Sequence, residues 1–321
     1  MNIYTLTLNP SVDYSFYVPE IKFDDINRIT HQRIDPGGKG VNIARMLLKL
    51  GEQSIPITFC TKDNSNIYPK ILEKEGLIPI YIKIKEKIRN VYNFISEKGE
   101  ILRFNEKGPK ISYEEKKQLF KKIMCLDYKR GDIIAISGSL PSGFKKDTYK
   151  VILNKLKKFQ LITFVDADGD VLKYAVESSP YIIKPNLWEL ERCLGEKIKN
   201  GRKLVSVVGN LLNKNISIII LTLGEKGTFV FTKEQILYGN VPKVKVKSSV
   251  GCGDAFIAGF LFSLKNHKNL KDCLKYAIAC GTGKAKQEGT KMPDKKEVMG
   301  IYNKTTIFDV DYEWVLKNFV P

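Results

Sequence analysis

The strongest constraint on this chain is an alternation. Short runs rich in β-branched residues are each followed by a stretch whose apolar positions have helical spacing. The runs are Ile3–Leu8, Ile55–Cys60, Ile78–Ile82, Ile133–Ile136, Ile162–Asp166, Tyr181–Ile183 and Ile216–Leu221. Between them lie the amphipathic stretches Val41–Leu50, Ile67–Glu75, Tyr113–Met124, Lys146–Lys158, Leu187–Leu194 and Lys203–Leu212. Parallel strands need a crossover, usually a helix, so this order predicts an α/β fold with a largely parallel sheet covered on both faces. Two further helical blocks, Asp254–Lys265 and Leu270–Gln287, follow the last run.

Two segments break the pattern. Asp13–Ile34 and Lys87–Asn105 alternate apolar and polar residues, and Lys98-Gly99 separates two such runs in the second, as in a hairpin. Strands inserted into a βα array form a sheet of their own. The expected organisation is therefore a main domain (1–12, 35–86 and 106–321) carrying a β-lid (13–34 and 87–105).

Composition narrows the classes. With 43% apolar residues the chain is globular rather than disordered. Its six cysteines are scattered with no C-x-x-C pair, which fits neither a zinc site nor a disulfide framework. No leader-like segment opens the sequence and no apolar run approaches the ~20 residues of a membrane helix, so a cytoplasmic location is expected. The formal charge is +18, from 53 Lys+Arg against 35 Asp+Glu, and 45 of the cations are Lys. Nucleic-acid readers rely on Arg, and these Lys residues are spread over nearly every helix without a block of five. Neither nucleic acid nor membrane is expected as a partner; small anions are.

Four elements carry phosphate chemistry. In Ser249-Val250-Gly251-Cys252-Gly253-Asp254, glycines at a helix start let backbone N–H groups approach an anion, while a carboxylate beside them can accept a hydroxyl proton. Taken alone, such an Asp also reads as a helix-start residue. Asp35-Pro36-Gly37-Gly38-Lys39-Gly40-Val41-Asn42 precedes a helix and suits a phosphate or a sugar, although no G-x-x-x-x-G-K-[ST] P-loop exists anywhere in the chain. Thr222-Leu223-Gly224-Glu225-Lys226-Gly227 follows a strand, where α/β sheets place ligands. In Lys184-Pro185-Asn186-Leu187-Trp188-Glu189, Asn186 and Glu189 fall one helical turn apart, as metal-facing residues or as a capping box.

In this order, with Thr5–Asp13 ahead of them and Ile136-Ser137-Gly138-Ser139-Leu140-Pro141-Ser142-Gly143 between them, these elements resemble the PfkB/ribokinase family of sugar kinases, and its hexose-phosphate branch in particular. The resemblance implies a ribokinase-like three-layer α/β/α fold with a small β-sheet lid. It implies Asp254 as catalytic base, with Gly251, Cys252 and Gly253 forming an anion hole. Asp13, Gly37, Gly38, Lys39, Asn42 and Ser137 would hold the sugar. Arg103 would meet the substrate phosphate, and Arg28 would reach a neighbouring subunit. Lys184, Asn186, Thr222, Gly224, Gly227, Ile278 and Thr282 would serve the nucleotide, with Asn186 and Glu189 holding Mg²⁺ largely through water. ATP is the implied co-substrate, a monovalent cation a further candidate cofactor, and a homodimer through the lid the implied assembly.

Two departures from the family pattern stand out. Cys252 replaces the usual Ala; its amide is retained, so the anion hole should survive, and a thiol at a helix N-terminus could have a lowered pKa. Where relatives read T-R-x-N, this chain has Lys87-Ile88-Arg89-Asn90, which puts Ile88 at the Arg position and Arg89 on the opposite face unless the register shifts. The expected reaction is ATP-dependent phosphorylation of a ketohexose phosphate: fructose 1-phosphate, fructose 6-phosphate or tagatose 6-phosphate. Kinase activity on another sugar or nucleoside, and a non-catalytic sugar-phosphate or nucleic-acid binder, are the alternatives.

Overall fold

The computed structural model describes residues 1–61 and 67–321. Its strands are β1 Ile3–Thr7, β2 Ser11–Val18, β3 His31–Gly37, β4 Ile55–Thr61, β5 Ile80–Ile84, β6 Arg89–Ser96, β7 Ile101–Asn105, β8 Ile133–Ser137, β9 Ile162–Asp166, β10 Ile182–Ile183, β11 Ile218–Thr222, β12 Thr228–Phe231, β13 Ile236–Gly239 and β14 Ile307–Val310. Its helices are α1 Lys39–Lys49, α2 Ile67–Lys74, α3 Tyr113–Met124, α4 Thr148–Leu156, α5 Gly169–Val176, α6 Leu187–Leu194, α7 Gly201–Asn213, α8 Cys252–Lys265, α9 Leu270–Ala285, α10 Lys295–Tyr302 and α11 Tyr312–Asn318. All seven β-branched runs became strands of one ten-stranded sheet, ordered β14-β13-β12-β11-β10-β9-β8-β1-β4-β5. From β11 to β5 every pairing is parallel, and β12 to β14 add an antiparallel edge.

The pleat explains the three layers. Successive side chains of a strand leave on opposite faces, so Ile219 and Leu221 enter one core while Ile218 and Ile220 enter the other. One core takes residues of α2 to α7 and α11; the second takes α8, α9, α10 and the Ile43–Met46–Leu47 face of α1. Among the described residues no helix is long and apolar enough to cross a membrane.

The pattern-breaking segments form a separate four-stranded sheet, ordered β3-β2-β6-β7. Gly99, in a left-handed conformation, turns the β6–β7 hairpin as the Lys98-Gly99 pair suggested. Register sorts the side chains of this sheet. Arg33, Ser15, Asn93 and Arg103 stand in one row, with Asp35, Asp13 and Val91 in a second row on the same face. The other face carries an aromatic ladder, with Tyr14 stacked on Tyr92 at 5.5 Å and Phe16 on Phe94 at 5.2 Å.

The sequence reading did not mark α5, the antiparallel edge or the C-terminal elements. Thr305–Pro321, for which it had no role, supplies β14 to the sheet edge and α11 as a cover. Trp314 of α11 packs on Tyr238, with ring centres 5.0 Å apart. The main-domain stretch 35–86 includes residues 62–66, which lie outside the described residues.

Candidate active site

Parallel strands deliver their C-terminal ends to one edge of the sheet, where open α/β folds bind ligands. Here Thr7, Ser137 and Asp166 are in register at the ends of β1, β8 and β9, and Lys184 follows β10 directly. Asp166 is buried and joins two lysines: Lys39 Nζ donates to its Oδ2 at 2.8 Å, and Lys184 Nζ stands 3.0 Å from its Oδ1. Burial alone would raise the Asp166 pKa, but the two ammonium groups hold it below the usual carboxylate range. For Lys39, burial works toward a lower pKa, and the carboxylates of Asp166, Glu189 and Asp254 outweigh it and raise the pKa.

Lys39 opens α1, and Asn42 follows one turn later. Asn42 Nδ2 donates to Asp254 Oδ2 at 2.8 Å, joining the Gly-Gly-Lys-Gly element to the Gly-Cys-Gly-Asp element across 212 residues of chain. Asp254 sits in the first turn of α8. The turn before it is made by Gly251, whose φ of 78° is one that a side chain disfavours. Among the described residues no side chain caps this helix start; the Cys252 N–H makes only a long bond to Ser249 O at 3.4 Å, so the turn is suited to an anion. Burial lifts the Asp254 carboxyl to about 6, against the pull of Lys39, the Asn42 hydrogen bond and Lys184. A carboxylate poised there is suited to accept a proton at neutral pH.

The Cys252 thiol is partly buried, and burial raises its pKa against the pull of Lys284. It faces Ser248 O at 3.6 Å, as a packed thiol rather than a reactive one.

Of the residues expected to hold the sugar, Asp13 lies on the inner face of the small sheet and Ser137 at the end of β8. Ser11 Oγ donates to Asp13 Oδ1 at 2.6 Å. Burial raises the Asp13 pKa, while the Ser11 bond and the charge of Arg89 oppose the rise. Gly37 leaves room for both side chains, since a Cβ there would collide with Asp13 and Ser11. Ser137 Oγ is buried with no hydrogen-bond partner. Arg103 Nε donates to Asn93 Oδ1 at 2.8 Å and lines a narrow cleft shared with Ser15, Ser248, Val250 and Gly289.

Arg89 corrects the strand-face reading. In the parallel β2–β6 pairing it stands beside Ser11, two residues before the Asp13–Val91 pair, so it shares the Asp13 face. Its Nε is buried without a hydrogen-bond partner among the described residues, and Nη2 lies 3.5 Å from Asn9 O. Ile88 is buried, so the register has placed the guanidinium where the motif alone did not. Arg28 lies apart, in the exposed segment between β2 and β3.

On the nucleotide side, Asn186 and Glu189 form a full capping box on α6, each side chain accepting the other's backbone N–H at 2.8 and 2.9 Å. Glu189 keeps one oxygen for the cleft, 3.5 Å from Lys39 Nζ. Thr222 ends β11 and bridges to Asn186, and Gly224 to Gly227 make the tight turn into β12. Gly227 faces Tyr238 and Gly239, and Gly239 packs on Ile278. Ile278 and Thr282 lie one turn apart on α9, both buried. Asp166 was missed as a site residue. The available signal was its place at the C-terminal end of a parallel strand.

An α/β sheet whose strand ends converge on a buried Asp–Lys network, beside an uncapped glycine-rich helix start, defines a phosphoryl-transfer enzyme of ribokinase-like fold. The profile of the pfkB family carbohydrate kinases matches residues 7–297, and the chain belongs to that family. Its relatives include a 1-phosphofructokinase of Bacillus subtilis, 31% identical over 89% of this chain and 93% of that protein. A tagatose-6-phosphate kinase of Staphylococcus epidermidis is 33% identical over 90% and 93%. Among solved structures, phosphofructokinase-2 from Escherichia coli in complex with potassium superposes with a TM-score of 0.88 at 25% identity, covering 94% of this chain and 98% of that one. This chain is thus a carbohydrate kinase, a phosphotransferase with an alcohol group as acceptor.

Proposed function

We propose that the enzyme transfers the γ-phosphoryl group of ATP to a primary hydroxyl of a ketohexose phosphate. The observation that carries this reading is the joint placement of Asp254, Asn42 and Lys39 at one strand-end cleft, beside the small-sheet face that bears Asp13, Arg89 and Arg103. Asp254 removes the hydroxyl proton, and the N–H groups of the Gly251–Gly253 turn stabilise charge on the transferred group. Asp13, with Gly37, Gly38 and Ser137, orients the sugar. Arg89 and Arg103 meet its phosphate, the buried unpartnered Nε of Arg89 being suited to an anion.

Lys184 neutralises nucleotide phosphates, with Thr222, Gly224, Gly227, Ile278 and Thr282 along the nucleotide path, and Lys39 and Asn42 stay on the sugar side. The carboxylates of Asp166 and Glu189, with Asn186, are hard oxygen donors of the kind Mg²⁺ takes together with phosphate oxygens; the ion would supply charge neutralisation there. For a monovalent cation the support is the potassium-bound neighbour alone. The segments 13–34 and 87–105 act as a lid that excludes water during transfer. A second copy is the partner suited to the lid's outer surface: its aromatic ladder continues into Phe104, and Phe23 and Ile26 are more than 70% exposed beside Arg28.

The names of the relatives favour fructose 1-phosphate and tagatose 6-phosphate, and fructose 6-phosphate is the third candidate. ADP release measured on all three, with ribose and adenosine as controls, tests the reading. Turnover confined to ribose or adenosine would replace it with the nucleoside or simple-sugar alternative.

A further inference from the structure

Lys284, near the end of α9, is fully buried, and the transfer chemistry above makes no use of it. Lysines are almost never enclosed without a carboxylate partner, because desolvating the ammonium is costly. Among the described residues Lys284 makes no ion pair within 4 Å, and its Nζ donates to a backbone carbonyl, Gly289 O, at 2.9 Å. An ammonium held by backbone oxygen in a closed site is bonded as a small monovalent cation would be.

Its surroundings explain what it serves. A Cβ at Gly251 would lie 3.6 Å from Lys284 Cε, so the lysine stem runs directly under the anion-hole turn. Lys247 and Ser248, which lead into that turn, both donate backbone N–H to Ala285 O, at 2.7 and 3.2 Å, one residue beyond the lysine. Gly289, the acceptor, sits against Asp35 and Ser15 on the inner lid face, and the next residue, Thr290, receives Arg45. The titratable groups facing Lys284 are Cys252, whose packed thiol is neutral, Asp254 and Asp35, which favour its cation, and Arg45, which opposes it. Burial takes its pKa down to about 8, so it is still mostly charged at neutral pH. A bound anionic phosphoryl group would favour that charge further.

We propose that the Lys284 ammonium is a built-in substitute for a monovalent cation: it holds the 247–253 turn, the 287–290 turn and Asp254 in their working arrangement, so that turnover needs no dissociable monovalent ion. Lys284 is a positioning residue that acts through the anion hole, and this inference rests on the reading of that turn as the phosphoryl site.

The test compares the full-length wild type with Lys284→Met and Lys284→Arg in buffers whose only monovalent cation is potassium, sodium, ammonium or tetramethylammonium. Wild-type turnover should vary by less than about twofold across the series. Lys284→Met should keep its sugar KM and lose about a hundredfold in kcat, the scale of a lost oxyanion donor, with partial recovery in ammonium or potassium. Lys284→Arg, with a larger head group, should recover less than ammonium does. Circular-dichroism melting of each variant separates misfolding from mispositioning, and the wild-type ion series needs no variant. A wild type that depends on potassium, or a folded Lys284→Met with normal kcat, overturns the proposal. Calorimetric affinity for a non-hydrolysable ATP analogue with Mg²⁺ keeps this result distinct from the substrate reading. Should no sugar be phosphorylated, a weaker analogue affinity in Lys284→Met still supports the lysine's role, and equal affinity overturns it.

Discussion

Asp254→Asn separates the two consequences of burying a carboxyl group in the cleft. In the folded protein this carboxyl titrates at about 6, against an ordinary 3.8. A folded-state pKa above the unfolded value means that the native state binds the proton more tightly. Stability is therefore lost as pH rises through that interval. At about 1.4 kcal/mol per pH unit, the interval corresponds to about 3 kcal/mol of destabilisation at neutral pH. Asparagine has the shape of the protonated acid and carries no such penalty. With an unfolding entropy of roughly 2 cal/mol/K per residue, the gain amounts to a Tm increase of about 4 °C in a chain of this size. The variant should thus melt higher than wild type at pH 7.5 and at the same temperature near pH 4, while kcat falls by several orders of magnitude. Calorimetric melting across pH, paired with ADP release, reads both effects. A variant that is less stable at pH 7.5, or whose Tm difference does not change with pH, refutes the desolvation argument. Near-normal turnover refutes the assignment of Asp254 as base.

Three further outcomes follow from the same geometry. Asp166→Asn removes the anion between the buried Lys184 and the partly exposed Lys39 ammonium groups and should cost about 1–3 kcal/mol at pH 7 by denaturant unfolding. Because the Asp166 pKa is lowered in the fold, that difference should persist above the ordinary carboxylate range and fade as pH falls through the lower folded value. Arg89→Ala should raise the KM for the sugar phosphate about tenfold or more and leave the KM for ATP unchanged, with Arg103→Ala smaller because that side chain is exposed; a change in ATP KM alone would move Arg89 out of the sugar site. Cys252→Ala should retain kcat, and thiol labelling at pH 7.5 should modify the exposed Cys125 ahead of Cys252. Rapid inactivation through Cys252 would contradict its packed placement.

The parallel sheet was legible in the sequence because its strands are buried on both faces and read as continuous β-branched runs, such as Ile216 to Leu221. Helices α3 and α6 were read to the residue, since Ser112 and Asn186 cap them with a Glu three positions on. The edge strands β12 to β14 were not read: all three are four-residue pieces, two of them following tight turns, and β14 pairs with a strand about 70 residues earlier. Glycine-rich turns marked the elements proposed to bind anions, because backbone approach needs glycine whatever the fold. The buried charges gave no such notice. Asp166 lies 127 residues from Lys39, and Lys284 bonds a carbonyl, so their roles exist only once the strands and helices are packed. Arg89 shows the same limit on a smaller scale. Its residue type was visible, but the face it occupies depends on the β2–β6 register.

The central claim is that this cleft phosphorylates a ketohexose phosphate. The direct measurement is coupled ADP release with fructose 1-phosphate, fructose 6-phosphate and tagatose 6-phosphate, run beside ribose and adenosine. The account predicts Mg²⁺-dependent turnover on at least one hexose phosphate, abolished in Asp254→Asn, and none on the two controls. Turnover on ribose or adenosine with none on the hexose phosphates would contradict it.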